Sequence, residues 1–377
     1  MNTKKILKHI KSYIKSKGYI FQDGLVENLF LCLKSKPFVI LSGPDGCGKH
    51  TFAKLFAQSI GATKENGRFK FVCVGANKHS SEFLLGYKAG DGSFVQGELT
   101  AIWREALCNA DKPYFVFIDD MNLSCPQEYM TEIFKTLDTR CRTEKGKLTS
   151  EYLFDKSYFQ KEKDQKSFGE LPYPENLYII ASVSSNNMHT SMLGGLKTID
   201  RAFVIEMEPE LSNAFFQKEE NEPEKLDVDN DFLKTEYVEL NECPQREFIE
   251  MANSTIVEFN KPSKFTSSGL SYRTRNEMLF YLILCNEYEI FDEQKAMDMV
   301  IVQRMLPRIY GGEGYVKTTL GFIFKMCVHQ SGDDYASSSF KMFRSISGPG
   351  VRYEKTARKI THMIRKFEEK GVCSFWD

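Results

Sequence analysis

Residues Gly43-Pro44-Asp45-Gly46-Cys47-Gly48-Lys49 satisfy the spacing G-x-x-x-x-G-K. Glycines so placed let successive backbone N–H groups converge on phosphate oxygens. A following helix adds positive potential at its first turn, and the lysine ammonium reaches the outer phosphates. Seven loosely specified positions match by chance in many chains, so the flanking segments decide. "FVILS" (38–42) precedes the loop as an apolar strand, and "HTFAKLFAQSIGA" (50–62) follows as a helix ending near Gly61. The candidate phosphate-binding set is therefore Gly43, Pro44, Asp45, Gly46, Cys47, Gly48, Lys49, His50 and Thr51.

"YFVFIDDMN" (114–122) supplies the complementary chemistry, an apolar strand ending in Asp119-Asp120. In a Walker B site the first carboxylate orders Mg2+ through water and the second polarises the attacking water. Two acids at a strand end can also merely cap the next helix. Beside the glycine loop, with room for one intervening strand, the catalytic reading is the stronger. One position breaks the pattern. His50 stands where a Ser or Thr hydroxyl would ligate the metal, and magnesium prefers oxygen to imidazole nitrogen. Thr51 cannot stand in, because the next helical residue is turned by roughly 100°.

These residues need a scaffold that presents both segments together. Five short runs rich in β-branched and aromatic residues recur with helical stretches between them: 38–42, "RFKFVCVG" (68–75), 114–120, "NLYIIASV" (176–183) and "AFVIEME" (202–208). Runs of that kind suit strands covered on both faces, and the alternation predicts an α/β fold with a parallel five-stranded sheet flanked by helices. Residues 1–30 read as a helical lead-in and 31–215 as the nucleotide-binding domain. Within it 143–172 is expected to be a surface insertion, charged and irregular from Thr143 to Gln165. An acidic, proline-containing stretch at 216–231 reads as a solvated linker, and 232–377 as a C-terminal helical domain.

Apolar and charged fractions of 42% and 27% fit a soluble globular chain, and a net charge of −1 gives no overall attraction to nucleic acid. Any DNA contact must come from a local patch or a partner. Ten scattered cysteines without a C-x-x-C pair argue against zinc and for a reducing compartment. No apolar run of about 18 residues suggests a membrane span. The Lys-rich start reads better as an amphipathic helix, with Ile6, Ile10, Tyr13 and Ile14 inward, than as a targeting peptide. A cytoplasmic protein is expected.

Several segments together resemble the McrB-type branch of AAA+ proteins, the NTP-driven motor subunits of modification-dependent restriction systems. They are "LKSKPFVILSG", "KPYFVFIDDMNL", "PENLYIIASV", "IDRAFVIE", "SYRTRNEM", "LPRIYGGEG" and the terminal "SFW". They span nearly the whole chain in the family's order. The resemblance implies strand order 5-1-4-3-2, a helical lid, ATP or GTP with Mg2+ as cofactors, and a homo-oligomeric ring, a hexamer, with nucleotide between subunits. It also implies a McrC-like nuclease partner through which DNA is reached, and no membrane. With 37 residues before Phe38, the match is to a short form without the N-terminal DNA-reading domain, so target reading is expected in the partner.

Carried over by position, Arg201 in "IDRA" resembles the arginine finger that reaches a neighbour's γ-phosphate. An ordinary surface pair with Asp200 is an equal alternative. Arg273 or Arg275 in "SYRTRNEM" resembles the lid arginine that touches nucleotide. At a spacing of two on a helix, at most one serves. Phe94 lies where the family has a loop facing the ring's centre, although packing under its own loop is the commoner fate of such a ring. Two further departures bear on hydrolysis. Asp120 replaces the relatives' Glu, setting its carboxylate roughly 1.5 Å further from the water, where a misplacement near 1 Å can cost about a hundredfold. Ser184 replaces the sensor asparagine and lacks an amide's paired donor and acceptor. Two readings follow: a slow NTPase motor with Asp120, Arg201 and Ser184 at its catalytic centre and Asp119 on the metal, or a non-hydrolysing nucleotide-bound scaffold of the same ring. A stand-alone remodelling factor acting on protein is a third, weaker reading.

Overall fold

Phe38–Gly43 (β1) is buried at every position, as a strand must be when helices cover both faces of its sheet. The computed structural model describes residues 2–76, 80–184, 195–209, 223–265, 268–328, 336–348 and 350–376. Beside β1 the sheet contains Phe69–Cys73 (β2), Tyr114–Asp119 (β3), Leu177–Ser184 (β4) and Phe203–Glu206 (β5). Their order is β5-β1-β4-β3-β2. The pairs β1–β4, β4–β3 and β3–β2 are parallel. Only β2, at the sheet edge, alternates between covered and open positions, and Phe71 is half-exposed there. The parallel sheet of an AAA+ P-loop fold, in the expected order 5-1-4-3-2, is thus in place.

Helices Thr3–Ser16 (α1), Leu25–Ser35 (α2), Lys49–Ser59 (α3), Glu98–Cys108 (α4) and Thr131–Asp138 (α5) belong to the same unit. α1 buries Ile6, Ile10 and Ile14 as its periodicity predicts. No described helix is long and apolar enough to cross a membrane.

The chain divides into two compact units, the second beginning at Glu239 and also taking in Ala202–Val204. Two segments differ from expectation. The acidic stretch 216–231, in its described part, is strapped to the first unit from Asp227 onward. Arg68 Nη2 meets Asp227 at 2.5 Å, and Lys112 Nζ meets Asp227 at 3.0 Å and Asp229 at 2.8 Å. The Tyr178 hydroxyl donates to Asn230 at 2.7 Å, and Phe232 stacks on Phe30. Basic partners far away in sequence hold these acids, so the unit boundary falls at 238/239 rather than at 231/232.

The expected surface insertion 143–172 contains buried Leu153, Phe154, Phe159 and Phe168 and a helix, Glu162–Phe168. Its rings surround Phe94, so this segment builds a satellite core beneath charged side chains.

The second unit is helical: Arg246–Asn260 (α6), Tyr272–Glu287 (α7), Glu293–Val300 (α8), Gly314–Cys327 (α9), Ser339–Ile346 (α10) and Glu354–Lys370 (α11). α7 is buried almost continuously from Glu277 to Cys285. The "SFW" ending is core: Cys373–Ser374 pairs antiparallel with Tyr310–Gly311, and Phe375 and Trp376 are buried.

One buried side chain ties the end of α4 to the sheet. Asn176, 2% exposed, has Nδ2 within 3.0, 2.9 and 2.7 Å of the carbonyl oxygens of Ala106, Asn109 and Lys112. Asn176→Ala leaves those acceptors without their donor and is expected to cost about 1–3 kcal/mol of unfolding free energy. A urea midpoint equal to the wild type's would show that the amide is dispensable.

Candidate functional site

The glycine loop closes tightly where β1 ends. Gly43 tolerates no side chain, since an added Cβ would lie 2.4 Å from the Met207 carbonyl oxygen, and the Met207 N–H donates to Ser42 O at 2.7 Å. Gly48, at φ +88°, takes the left-handed conformation that starts α3, and a Cβ there would press on Phe21 at 3.0 Å. Lys49, buried at the first position of α3, donates to Gly43 O at 2.8 Å and Pro44 O at 2.9 Å. Its ammonium is therefore held inside the loop. Asp45 and Gly46 form the exposed crest. The α3 N-terminus, its free amides and this cation fit the phosphates of a nucleotide.

Asp119 and Asp120 end β3 two strands away, with β4 between. The register sets Gly43 beside Ser184 and Ile118 beside Ala181, so β1 and β4 end together, while Asp119, the last residue of β3, lies level with Ser182 two residues before that end. Ser182 Oγ donates to Asp119 Oδ1 at 2.5 Å and accepts the Asp120 N–H at 2.9 Å. One hydroxyl thus fixes both acids. Asp120 sits at φ +50°, a left-handed conformation unusual for a residue with a side chain. Burial first, then the charges of Asp119 and Asp45, push its carboxyl above the usual carboxylate range, against the pull of Lys49.

His50 does not point its ring at open solvent. The imidazole packs 4.6 Å from Phe71 and 5.2 Å from Phe117, centroid to centroid. Burial lowers its pKa, opposed by Asp119, so the neutral ring is favoured near neutral pH. Asp119 and Asp120 supply oxygens suited to Mg2+, while position 50 offers an aromatic-packed ring in place of a hydroxyl. The donor set fits the metal with one oxygen fewer. Thr51 is half-buried on the following helical position.

Ser184 is the last residue of β4 and is buried. Arg201 pairs with Asp138 of α5 rather than with neighbouring Asp200. Its Nε lies 2.9 Å from Asp138 Oδ2, Nη2 contacts the same oxygen, and Nη1 donates to Lys197 O. Of the two readings of Arg201, the surface pair with Asp200 gives way to a pair with a helix about 60 residues earlier in the chain, one that no local pattern brings near. Arg273 and Arg275 lie in the first turn of α7 in the second unit, roughly 200° apart around the helix. Arg275 donates to Asn276 Oδ1 at 3.2 and 2.8 Å and covers the Tyr272 ring. Phe94 is buried, as the packing reading expected. Sequence reading missed Ser182 and Phe21. Ser182 was detectable as a polar residue two positions before Ser184, on the same face of an apolar strand. Phe21, against Gly48 and 5.0 Å from Phe52, left no local signal.

Residues 38–203 match the family model of the AAA domain of the dynein-related subfamily, and 221–372 match a domain of unknown function, DUF8727. The EcoKMcrB subunit of the type IV methyl-directed restriction enzyme of Escherichia coli (strain K12) is 24% identical over 182 residues, which cover 45% of this chain and 37% of that protein. The chain therefore spans little more than a third of that relative's length. Among solved structures, a Cytophaga hutchinsonii protein provisionally assigned as an ATPase aligns with a TM-score of 0.45 at 12% identity, over 81% of this chain and 88% of its own. NtrX from Brucella abortus aligns with a TM-score of 0.31 at 14% identity, over 55% of this chain and 41% of its own.

Because the Ser182 hydroxyl restrains both Asp119 and the Asp120 turn, Ser182→Ala is expected to raise the Mg2+ concentration needed for half-maximal nucleotide affinity by about tenfold or more. Metal-free nucleotide binding should change little. Titration of fluorescent nucleotide at fixed EDTA and at graded Mg2+ checks this, and an unchanged Mg2+ requirement would refute it.

Proposed function

We propose that this chain is the nucleoside triphosphate-binding AAA+ subunit of a restriction complex, hydrolysing ATP or GTP slowly to drive a McrC-like nuclease. The observation that carries the reading is the meeting of Lys49, Asp119 and Asp120 at one edge of the sheet, with Ser182 setting both acids. The similarity to a methyl-directed restriction subunit supports the biological setting. In this proposal the loop amides from Gly43 to Thr51 and Lys49 hold the phosphates, while Asp119 orders Mg2+ through water. The metal, when bound, offsets charge on the β- and γ-phosphates. Asp120 orients the attacking water. Arg201 serves a neighbouring subunit's nucleotide in a homo-oligomeric ring, a hexamer, in the cytoplasm. Ser184 stands at the sensor position, and Arg273 or Arg275 contacts nucleotide. The target DNA is read and cut through the nuclease.

A second reading, a non-hydrolysing scaffold subunit of the same ring, is favoured by the packing of His50 against Phe71 and Phe117. That packing removes the imidazole from metal duty without supplying an oxygen. Phosphate release from ATP and GTP, with and without the nuclease, separates the two. The motor gives nucleotide turnover stimulated by its partner, and the scaffold gives rings with none.

Two variants test the assignments. His50→Thr combined with Asp120→Glu and Ser184→Asn restores the missing oxygen, the missing methylene and the amide, and is expected to raise turnover by about a hundredfold. Bound nucleotide with no gain would place the rate limit elsewhere. Lys49→Ala is expected to abolish nucleotide binding and ring assembly together, read by calorimetry and light scattering.

A further inference from the structure

The second unit carries a surface that nucleotide binding does not use. Phe340 and Phe343 of α10 are 69% and 62% exposed, while Met342 and Ile346 fill that helix's core-facing side. The two phenyls form one wall of an open groove of about 450 Å3. Arg358, His362 and Arg365 of α11, one helical turn apart, line the other wall. On α9, beyond the turn that starts α10, Phe322 is a further half-exposed ring, with Lys325 Nζ 5.9 Å from its centroid.

Charge is concentrated here. Residues 338–370 contain nine Lys and Arg against three Asp and Glu, a net of +6 in a chain whose total is −1. Single exposed apolar residues are ordinary, but neighbouring phenyls walled by cations are a surface shaped for something both flat and anionic.

We infer that this groove binds single-stranded DNA, with bases stacked on Phe340 and Phe343 and phosphates on Arg358 and Arg365. Every nucleotide pairs an apolar ring face with an anion, the two chemistries the groove offers side by side. A duplex presents its phosphates but keeps its base faces stacked, leaving both phenyls in water. An acidic peptide would need apolar side chains at matching positions as well as its charges. The guanidinium groups now meet carboxylates on their own helix: Arg358 Nη2 lies 2.6 Å from Glu354, and Arg365 Nε lies 3.6 Å from Glu369. Exposed pairs of that kind are weak, so a phosphate can replace the carboxylate at little cost. The choice of DNA over RNA rests on the restriction reading above; the groove's binding of single strands does not.

The test uses the full chain without nucleotide, so its outcome is independent of hydrolysis. Fluorescence anisotropy is measured with labelled oligo-dT, oligo-rU of equal length and a duplex of equal length, across a salt series. Oligo-dT is expected to bind more tightly than duplex and at least as tightly as oligo-rU. Phe340→Ala and Phe343→Ala should each weaken oligo-dT binding about fivefold or more. Arg358→Gln with Arg365→Gln should lower the salt slope by about 0.7 for each phosphate that the arginines no longer neutralise. Ultraviolet crosslinking of bound oligo-dT should mark the peptide 339–346. Tighter duplex binding, a preference for oligo-rU, or phenyl variants that melt normally and bind oligo-dT as the parent does would each overturn the proposal.

Discussion

A parallel sheet covered on both faces leaves a ligand only its carboxyl edge, and the candidate site depends on that restriction. β1, β3 and β4 are buried along almost their whole length, so nothing can approach them from above or below. Their register sets Gly43 beside Ser184 at that edge and ends β3 two residues short of them, with Asp119 level with Ser182. Because β3 ends level with Ser182, that one hydroxyl can hold both the Asp119 carboxylate and the Asp120 N–H. The glycines then follow from steric need: Gly43 has the Met207 carbonyl pressed against it, and Gly48 has Phe21.

Within this frame, holding phosphate and splitting it make separate demands. Holding needs amides, a helix N-terminus and an ammonium, and all three are present around Lys49. Splitting needs oxygens placed to within about 1 Å of a metal and a water. Here the position after Lys49 carries an imidazole whose charged form burial disfavours, and the residue after Asp119 is a second aspartate. Asp120, left-handed and with its charge disfavoured by burial and two neighbouring acids, has the strain typical of a functional position. That conformation is held by Ser182, which a reading of motifs alone passes over.

The helical unit holds a buried charge and a helix start by pairings within itself. Arg304, fully buried, pairs with Glu277 of α7, and such a pair persists only because removing either partner would strand the other's charge. Asp298 caps α11 by accepting the N–H groups of Lys355 and Thr356, each at 2.8 Å, and the Thr356 hydroxyl at 2.6 Å. On α10, Met342 is buried while Phe340 and Phe343 face solvent.

Local patterns in the sequence were enough for the parts whose chemistry is contiguous. The glycine loop, the Asp119-Asp120 strand end, the five strands and the amphipathic α1 each announce themselves within a short stretch of chain. The five-stranded α/β sheet and the place of the phosphate-binding loop within it were legible for that reason. Strand order came from resemblance, because periodicity carries no information about neighbours. Tertiary structure alone decided the rest. It strapped Asp227 and Asp229 onto Arg68 and Lys112, turned a charged insertion into an aromatic cluster around Phe94, and gave Arg201 to Asp138. It also seated His50 against Phe71 and Phe117 and handed Asp119 to Ser182. In each case the partner lies far away along the chain, and side chains acquire such partners only when strands and helices close into one core.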